Sequence, residues 1–255
     1  LRQTLSNTST EPTALHISEI TDWFIPEGDE SSTRVYPGAR QVSGELLTHA
    51  KRIGELIRKR KEANSLTRDY RIEYEGQIMR GHMQATVEGV MHILRRMPRE
   101  LPSVHVLGLP PEVKHFGDHG GLILFTGGAG AGKSTTASAV VTERVINHGA
   151  FCLCVEDPPE FMLHGDHHAN GGKVGKIIQV PAESSSFSEC LRDALRCYPS
   201  NTKGSMLFIG EIRDSHTAGQ ALKAAVNGQL VIATFHASDP IAALERILSM
   251  GREHL

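Results

Sequence analysis

The sequence predicts an α/β chain in two parts: a small α+β domain, then a larger domain on a mostly parallel sheet. Three observations predict it. Up to about residue 98, strand-like alternation is mixed with one helix-like stretch. After the prolines at Pro98, Pro102, Pro110 and Pro111, strand-like and helix-like stretches follow one another in turn. Such alternation argues for parallel strands whose crossover helices cover both faces of the sheet. A glycine-rich loop also joins the first apolar run of this second part to its first helix-like run.

In chain order, residues 1–14 are polar, rich in Ser and Thr, and expected to be disordered. The first domain is expected over 15–98. Gly44 to Ala63 carries Leu46, Leu47, Ile53, Leu56 and Ile57 at helical spacing. It runs into Arg58, Lys59, Arg60 and Lys61, read as a solvated helix face. Tyr70 to Tyr74 alternates as a strand, and Arg80 to Leu94 reads as one or two more, interrupted near Glu88 and Gly89. A linker is expected over 99–111 and the second domain over 112–255. There the expected elements are strand 122–126, helix 132–147, strand 151–155, a polar loop, strand 176–180, helix 187–197, strand 206–210, helix 214–227, strand 230–235 and helix 240–249. Ligands of such sheets sit at the carboxyl ends of the strands.

The 255 residues suffice for two ordinary domains; 39% are hydrophobic and 22% charged, as in globular proteins. A net charge of −2 offers no bulk attraction to nucleic acid. No apolar run approaches the roughly 20 residues that span a bilayer, and Leu1 to Pro12 does not read as a signal peptide. The chain begins without Met, so a fragment, or only the ordered part, of a longer protein is expected. Of Cys152, Cys154, Cys190 and Cys197, the first two lie in a buried strand-like run, match no zinc spacing and read as small core residues. His164, His167 and His168 lie in a polar, glycine-rich stretch to Gly175 that reads as a solvated, mobile loop.

Chemistry enters at Gly127, Gly128, Ala129, Gly130, Ala131, Gly132, Lys133 and Ser134, the G-x-x-x-x-G-K-S pattern of a phosphate-binding loop. Its glycines let successive N–H groups turn inward to phosphate oxygens. Its lysine reaches the β- and γ-phosphates, and its serine hydroxyl binds Mg²⁺. Thr135 opens the helix whose N-terminus faces the phosphates. Met206 to Glu211 is an apolar strand ending in a carboxylate, which can hold Mg²⁺ through water or orient an attacking water. Glu156, Asp157 and Glu160 end a second strand and are placed to share that work, Asp157 at the metal. Val231 to His236 sets a histidine just past a third buried strand, suited to sense the γ-phosphate.

Together these segments resemble the Walker A, Asp box, Walker B and His box of the type II/type IV secretion and pilus-motor ATPases. The matching stretches are Gly127 to Ser134, Val155 to Glu160, Ile209 to Asp214 and Gly228 to His236, in the family's order and spacing. Leu191 to Arg196 with Pro199 is similar to the family's Leu-Arg helix before Walker B. The resemblance covers about residues 70 to 250. It implies a PAS-like first domain and a RecA-like second one. It further implies a cytoplasmic homohexamer at the cytoplasmic face of the bacterial inner membrane, docked on the base proteins of a secretion system or pilus.

By that resemblance ATP and Mg²⁺ are its cofactors and nucleic acid is not a direct ligand. Glu211, Glu160, Glu156, Lys133 and His236 have catalytic roles, and Ser134, Asp157 and Glu211 hold the metal. Arg80 and Arg95 reach the nucleotide from the first domain as arginine fingers do. Arg246 closes the His box, and the linker between Pro98 and Pro111 is the hinge.

Three departures stand out. Gln229 replaces the family's usual His, His82 replaces the second arginine of an RFRVN-type strand, and the chain stops at Leu255, where the family continues with helices. Gln229 and the long N-terminal segment favour a type IV secretion or conjugation variant over a standard retraction motor. A RecA-like nucleic-acid motor and a non-hydrolysing nucleotide-binding scaffold are the alternatives from other classes.

Overall fold

A computed structural model of the chain describes residues 16–98, 100–116, 118–168, 172, 174–182, 187–197 and 204–252. The expected disorder of 1–14, Pro199 and Leu255 lie outside the described residues. The chain divides into two compact units, Leu1–Arg96 and Met97–Leu255.

In the first unit, strands β1 (Asp22–Pro26), β2 (Arg34–Tyr36), β3 (Arg40–Gln41), β4 (Asp69–Tyr74), β5 (Gln77–Thr86) and β6 (Gly89–Arg96) form one antiparallel sheet, ordered β3-β2-β1-β6-β5-β4. Helix α1 (Gly44–Glu62) covers one face. Its Ala50, Ile53 and Ile57 pack with Trp23, Ile25, Val35, Ile72 and Leu94. Alternation along β1 and β4 turns these residues inward and their neighbours outward, the period-2 rule of a half-covered sheet. Glu75 and Gly76 join β4 to β5, both with φ above zero (50° and 67°), as a two-residue hairpin turn of the right twist requires. The basic run at the end of α1, Arg58 to Lys61, is exposed, as a solvated helix face is. From that exposed face Arg58 pairs with Glu30 and Lys61 with Glu27.

In the second unit, β7 (Gly121–Gly127), β8 (Phe151–Glu156), β9 (Gly165–His168), β10 (Val174–Pro181), β11 (Met206–Ile209) and β12 (Leu230–His236) form a sheet ordered β7-β12-β11-β8-β10-β9. All its pairings are parallel except β9 with β10. Helices α2 (Lys133–His148), α3 (Phe187–Ala194), α4 (Ser215–Val226) and α5 (Pro240–Gly251) connect the strands. Val140, Val141 and Val145 of α2 pack with Cys152, Cys154, Met206, Phe208 and Ile232 on one face. Residues of α3, α4 and α5 pack with Leu153, Leu207, Ile209, Val231 and Phe235 on the other. The strands are therefore apolar on both sides, as parallel sheets demand. This is the expected α/β class.

Two expectations are corrected. The stretch read as a loop from Gly165 begins as an edge strand, with His167 in register with Gly175 and His168 with Val174. His167 Nε2 meets the Leu163 carbonyl at 2.7 Å, so this histidine is not a freely solvated one. The stretch 99–111 was expected as a linker, yet Leu101, Val104 and Leu109 pack against the α2 face of the second unit's core. Apolar residues at that spacing bury themselves and draw the segment onto the sheet domain.

Candidate functional site

The carboxyl ends of β7, β8, β11 and β12 carry the chemistry of the second unit. After β7 the chain turns through Gly127, Gly130 and Gly132 with φ of 156°, 73° and 82°, a run of backbone that side chains resist. A Cβ on Gly127 would stand 3.1 Å from the Ala131 methyl and 3.7 Å from Lys133 Cγ, so the loop closes tightly on its own lysine. Gly132 is the N-cap of α2 and offers no side chain there. The first N–H groups of a helix lack partners within it, which leaves those of α2 for an anion held at the loop. Lys133 Nζ donates to the Gly128 carbonyl at 2.8 Å, which holds the ammonium over the loop. Ser134 and Thr135 follow in the first turn, half-buried.

His236, exposed at the end of β12, is in direct register with Gly127. Its carbonyl accepts from Arg246 Nη1 at 3.2 Å, and that guanidinium lies 5.2 Å from the Phe235 ring centre. The pair ties the end of β12 to α5.

Glu156 ends β8 and is 4% exposed. Its side chain fits because residue 210 is glycine: a Cβ there would stand 3.0 Å from Glu156 Cγ and 3.2 Å from its Cα. Burial pushes the Glu156 carboxyl up to about 7; a hydrogen bond from Gln179 opposes the shift and the nearby charge of Glu160 adds to it. A carboxyl of that pKa exchanges protons near neutrality. Glu160 itself is exposed.

Glu211 lies just beyond β11, which sits between β12 and β8. Arg213 Nε donates to Glu211 Oε2 at 2.7 Å, and its Nη1 stands 3.5 Å from Asp157 Oδ2. One arginine thus joins the ends of two strands, a link the sequence reading missed although Arg213 stood inside the quoted motif. Asp214 is the N-cap of α4, accepting from Thr217 N at 2.8 Å, so the last acid of that motif is structural.

Ser134, Asp157 and Glu211 offer one hydroxyl and two carboxylates, the oxygen donors that suit Mg²⁺ with its further ligands from phosphates and water. Among the described residues no group of three or more His, Cys, Asp or Glu forms a metal site of its own.

Gln229 precedes β12 at the opposite end of the strand from His236. Seven residues of strand separate the two by about 23 Å. Arg80 and Arg95 belong to the first unit, where they face each other across β5 and β6. Arg95 Nε donates to Asp22 Oδ1 at 2.7 Å, and Arg80 is exposed. His82 Nδ1 lies 2.7 Å from Asp69 Oδ1.

A glycine loop between strand and helix at the carboxyl end of a parallel sheet, with acids on the neighbouring strand ends, defines a RecA-like P-loop protein. A family model described as "Type II/IV secretion system protein" matches residues 112–255, more than half of the chain. The chain belongs to this family of type II/IV secretion ATPases. It is 35% identical over 177 residues to the uncharacterized protein YggR of Escherichia coli K12, covering 68% of this chain and 51% of YggR. It is 32% identical over 157 residues to the type IV pilus ATPase PilU of Pseudomonas aeruginosa, covering 61% and 38%. The chain thus spans about half of YggR and less of PilU. Its structure resembles the pilus retraction motor PilT with bound ADP, with a TM-score of 0.68, 28% identity and coverage of 90% of this chain and 67% of that one. The ATPase DotB of Legionella pneumophila shares the fold, with a TM-score of 0.64 at 22% identity over 91% of this chain and 66% of that one.

Proposed function

We propose that the chain is the nucleotide-hydrolysing part of a homohexameric motor that drives a type IV pilus or a type II/IV secretion machine. The reaction is ATP + H₂O → ADP + phosphate. The observation that carries the reading is the meeting of a phosphate loop, two carboxylates and a histidine at the ends of adjacent parallel strands. The loop N–H groups and Lys133 hold the phosphates. Glu211, with Glu156, orients the attacking water and takes up its proton; Glu160 modulates Glu156. Mg²⁺ held by Ser134, Asp157 and Glu211 would neutralise phosphate charge. His236, beside Gly127, senses the state of the loop. Arg80 and Arg95 supply positive charge to the γ-phosphate as arginine fingers do, and the segment near Met97 and Pro98, where the two compact units divide, is the hinge. Work at the cytoplasmic face of an inner membrane, on base proteins of the machine, fits a chain in which no described helix is long and apolar enough to cross a membrane.

Similarity to PilU and PilT supports the pilus reading. The conjugative reading leans on Gln229, whose place at the far end of β12 gives it no contact with the loop's chemistry.

The test is Mg²⁺-ATP hydrolysis by the full-length protein as a function of its concentration, with Glu211→Gln beside it. The rate per subunit is expected to rise as rings assemble, and Glu211→Gln to lower it by about 10²-fold or more. A rate per subunit independent of assembly would sink the shared-site motor. ATP binding without turnover would replace it with a scaffold.

A further inference from the structure

Gln179 lies on β10, in register with Cys154, two residues short of Glu156 on the neighbouring strand. Its side-chain amide has two donors and two acceptor positions, and all four are used. Nε2 donates to Glu156 Oε1 at 2.7 Å and to the Phe161 carbonyl at 2.8 Å. Oε1 accepts from the N–H of Leu163 at 2.8 Å and of His164 at 3.0 Å. These partners fix which way the amide points. Reversed, it would set its NH₂ against two N–H groups and its oxygen against two acceptors. The Gln179 backbone N–H adds a bond to His164 Nδ1 at 3.2 Å. One neutral side chain therefore gathers the carboxylate at the end of β8 and the segment that follows it.

The other acids of the site are held differently. Asp157 and Glu211 share an arginine that is 57% exposed, whose single charge offsets part of theirs as it holds them. An amide orients a carboxylate without cancelling its charge, and the fully engaged network leaves Gln179 a single arrangement. On the other side, Gly210 gives Glu156 Cγ its room.

We infer that Gln179 is a positioning residue for Glu156, fixing its carboxylate and the Phe161 to His164 segment as one unit for hydrolysis. The inference rests on the ATPase reading above, since Gln179 acts on the reaction only through Glu156.

Steady-state Mg²⁺-ATP hydrolysis by the full-length protein tests it. Gln179→Leu is expected to lower kcat by about tenfold or more, with KM changed by less than about threefold. In a Glu156→Gln background the same change is expected to add less than about twofold, because the group it positions is gone. Equal losses in both backgrounds overturn the inference, as does a raised KM at unchanged kcat. Gln179→Glu serves if the leucine variant fails to fold. It keeps the acceptors for Leu163 and His164 and loses the amide donors, so kcat is expected to fall while both amides stay protected from hydrogen exchange. Wild-type kcat in that variant overturns the inference. Amide exchange at Leu163 and His164 decides the structural half without any turnover: Gln179→Leu is expected to speed it about tenfold or more, and unchanged rates refute the hold. Failure of wild-type protein to hydrolyse ATP sinks the ATPase reading instead, and leaves the exchange result to stand or fall alone.

Discussion

The two sheets of this molecule solve one packing problem in opposite ways. The first is antiparallel and covered on one face by α1, so alternate residues of its strands are left for polar and charged side chains. The second is mostly parallel and covered on both faces, so Met206, Leu207, Phe208 and Ile209 are all buried. A strand with no free face has only its ends left for chemistry. Every acid assigned to hydrolysis stands at or just past such an end.

Truncating one aromatic on each sheet should expose this contrast most strongly. Phe208→Ala, inside the doubly covered sheet, is expected to cost about 3–5 kcal/mol in chemical unfolding. Phe24→Ala, on the open face of β1, is expected to cost about 1 kcal/mol. Similar costs for the two would break the comparison.

Glycines at the two ends of the parallel sheet come next. A Cβ on Gly120 would stand 2.1 Å from the Gly228 carbonyl oxygen, where only backbone can yield, so Gly120→Ala is expected to cost about 2 kcal/mol or more. Gly210→Ala presses on Glu156 instead. It is expected to spare more stability than Gly120→Ala and to lower ATP hydrolysis more. If turnover survives in Gly210→Ala, the room around Glu156 is not what the reaction needs.

The covered face of the first sheet holds a buried histidine. His92 is 1% exposed, beside Tyr70 at 3.0 Å and Glu27 at 3.5 Å. Burial lowers its pKa below the ordinary value of 6.5, outweighing the pull of Glu27, and Lys61 adds to the lowering. Between the lowered pKa and 6.5 the unfolded chain binds the proton that the folded one refuses. This contribution to stability is therefore present above 6.5 and is lost as pH falls through the lowered value. Trp23, the one tryptophan, lies in this unit, so its fluorescence reports unfolding there. The unfolding midpoint is expected to fall on acidification below pH 6.5, and His92→Asn to flatten that slope. An unchanged slope in the variant would clear His92 of the effect.

Smallest of all is Arg213→Ala. Its two ion pairs are partly exposed, and their loss is expected to shift stability by less than about 1 kcal/mol. Thermal melts with and without the arginine check this, and a larger shift would make the strand-end link part of the scaffold.

These outcomes also mark what could be read from sequence. The loop from Gly127 to Ser134 was legible because its chemistry is made by adjacent residues, and the strands beside it because unbroken apolar runs declare a doubly covered sheet. Helix α2 was expected over 132–147 and runs Lys133–His148. The short strands β1, β2 and β3 were not resolved, since five, three and two residues among Pro26, Gly28, Pro37 and Gly38 carry too little alternation. Strand β9 was read as loop because Gly, Asp and His hide an edge strand whose partner alone defines it. The role of Gln179 is not legible in the sequence, because its partners lie 15 to 23 residues earlier and nothing in its neighbourhood announces them. Arg80 and Arg95 were singled out by resemblance only.

Among the described residues, the strand that carries the phosphate loop is the outermost of its sheet, bonded to β12 alone. Seven residue pairs, from Gly121 with Leu230 to Gly127 with His236, form that seam. Within the sheet, loop and core are thus linked in series rather than in parallel. A pull on the loop loads this single seam before any other strand feels it, and the seam's last rung is the histidine whose carbonyl is tied to α5.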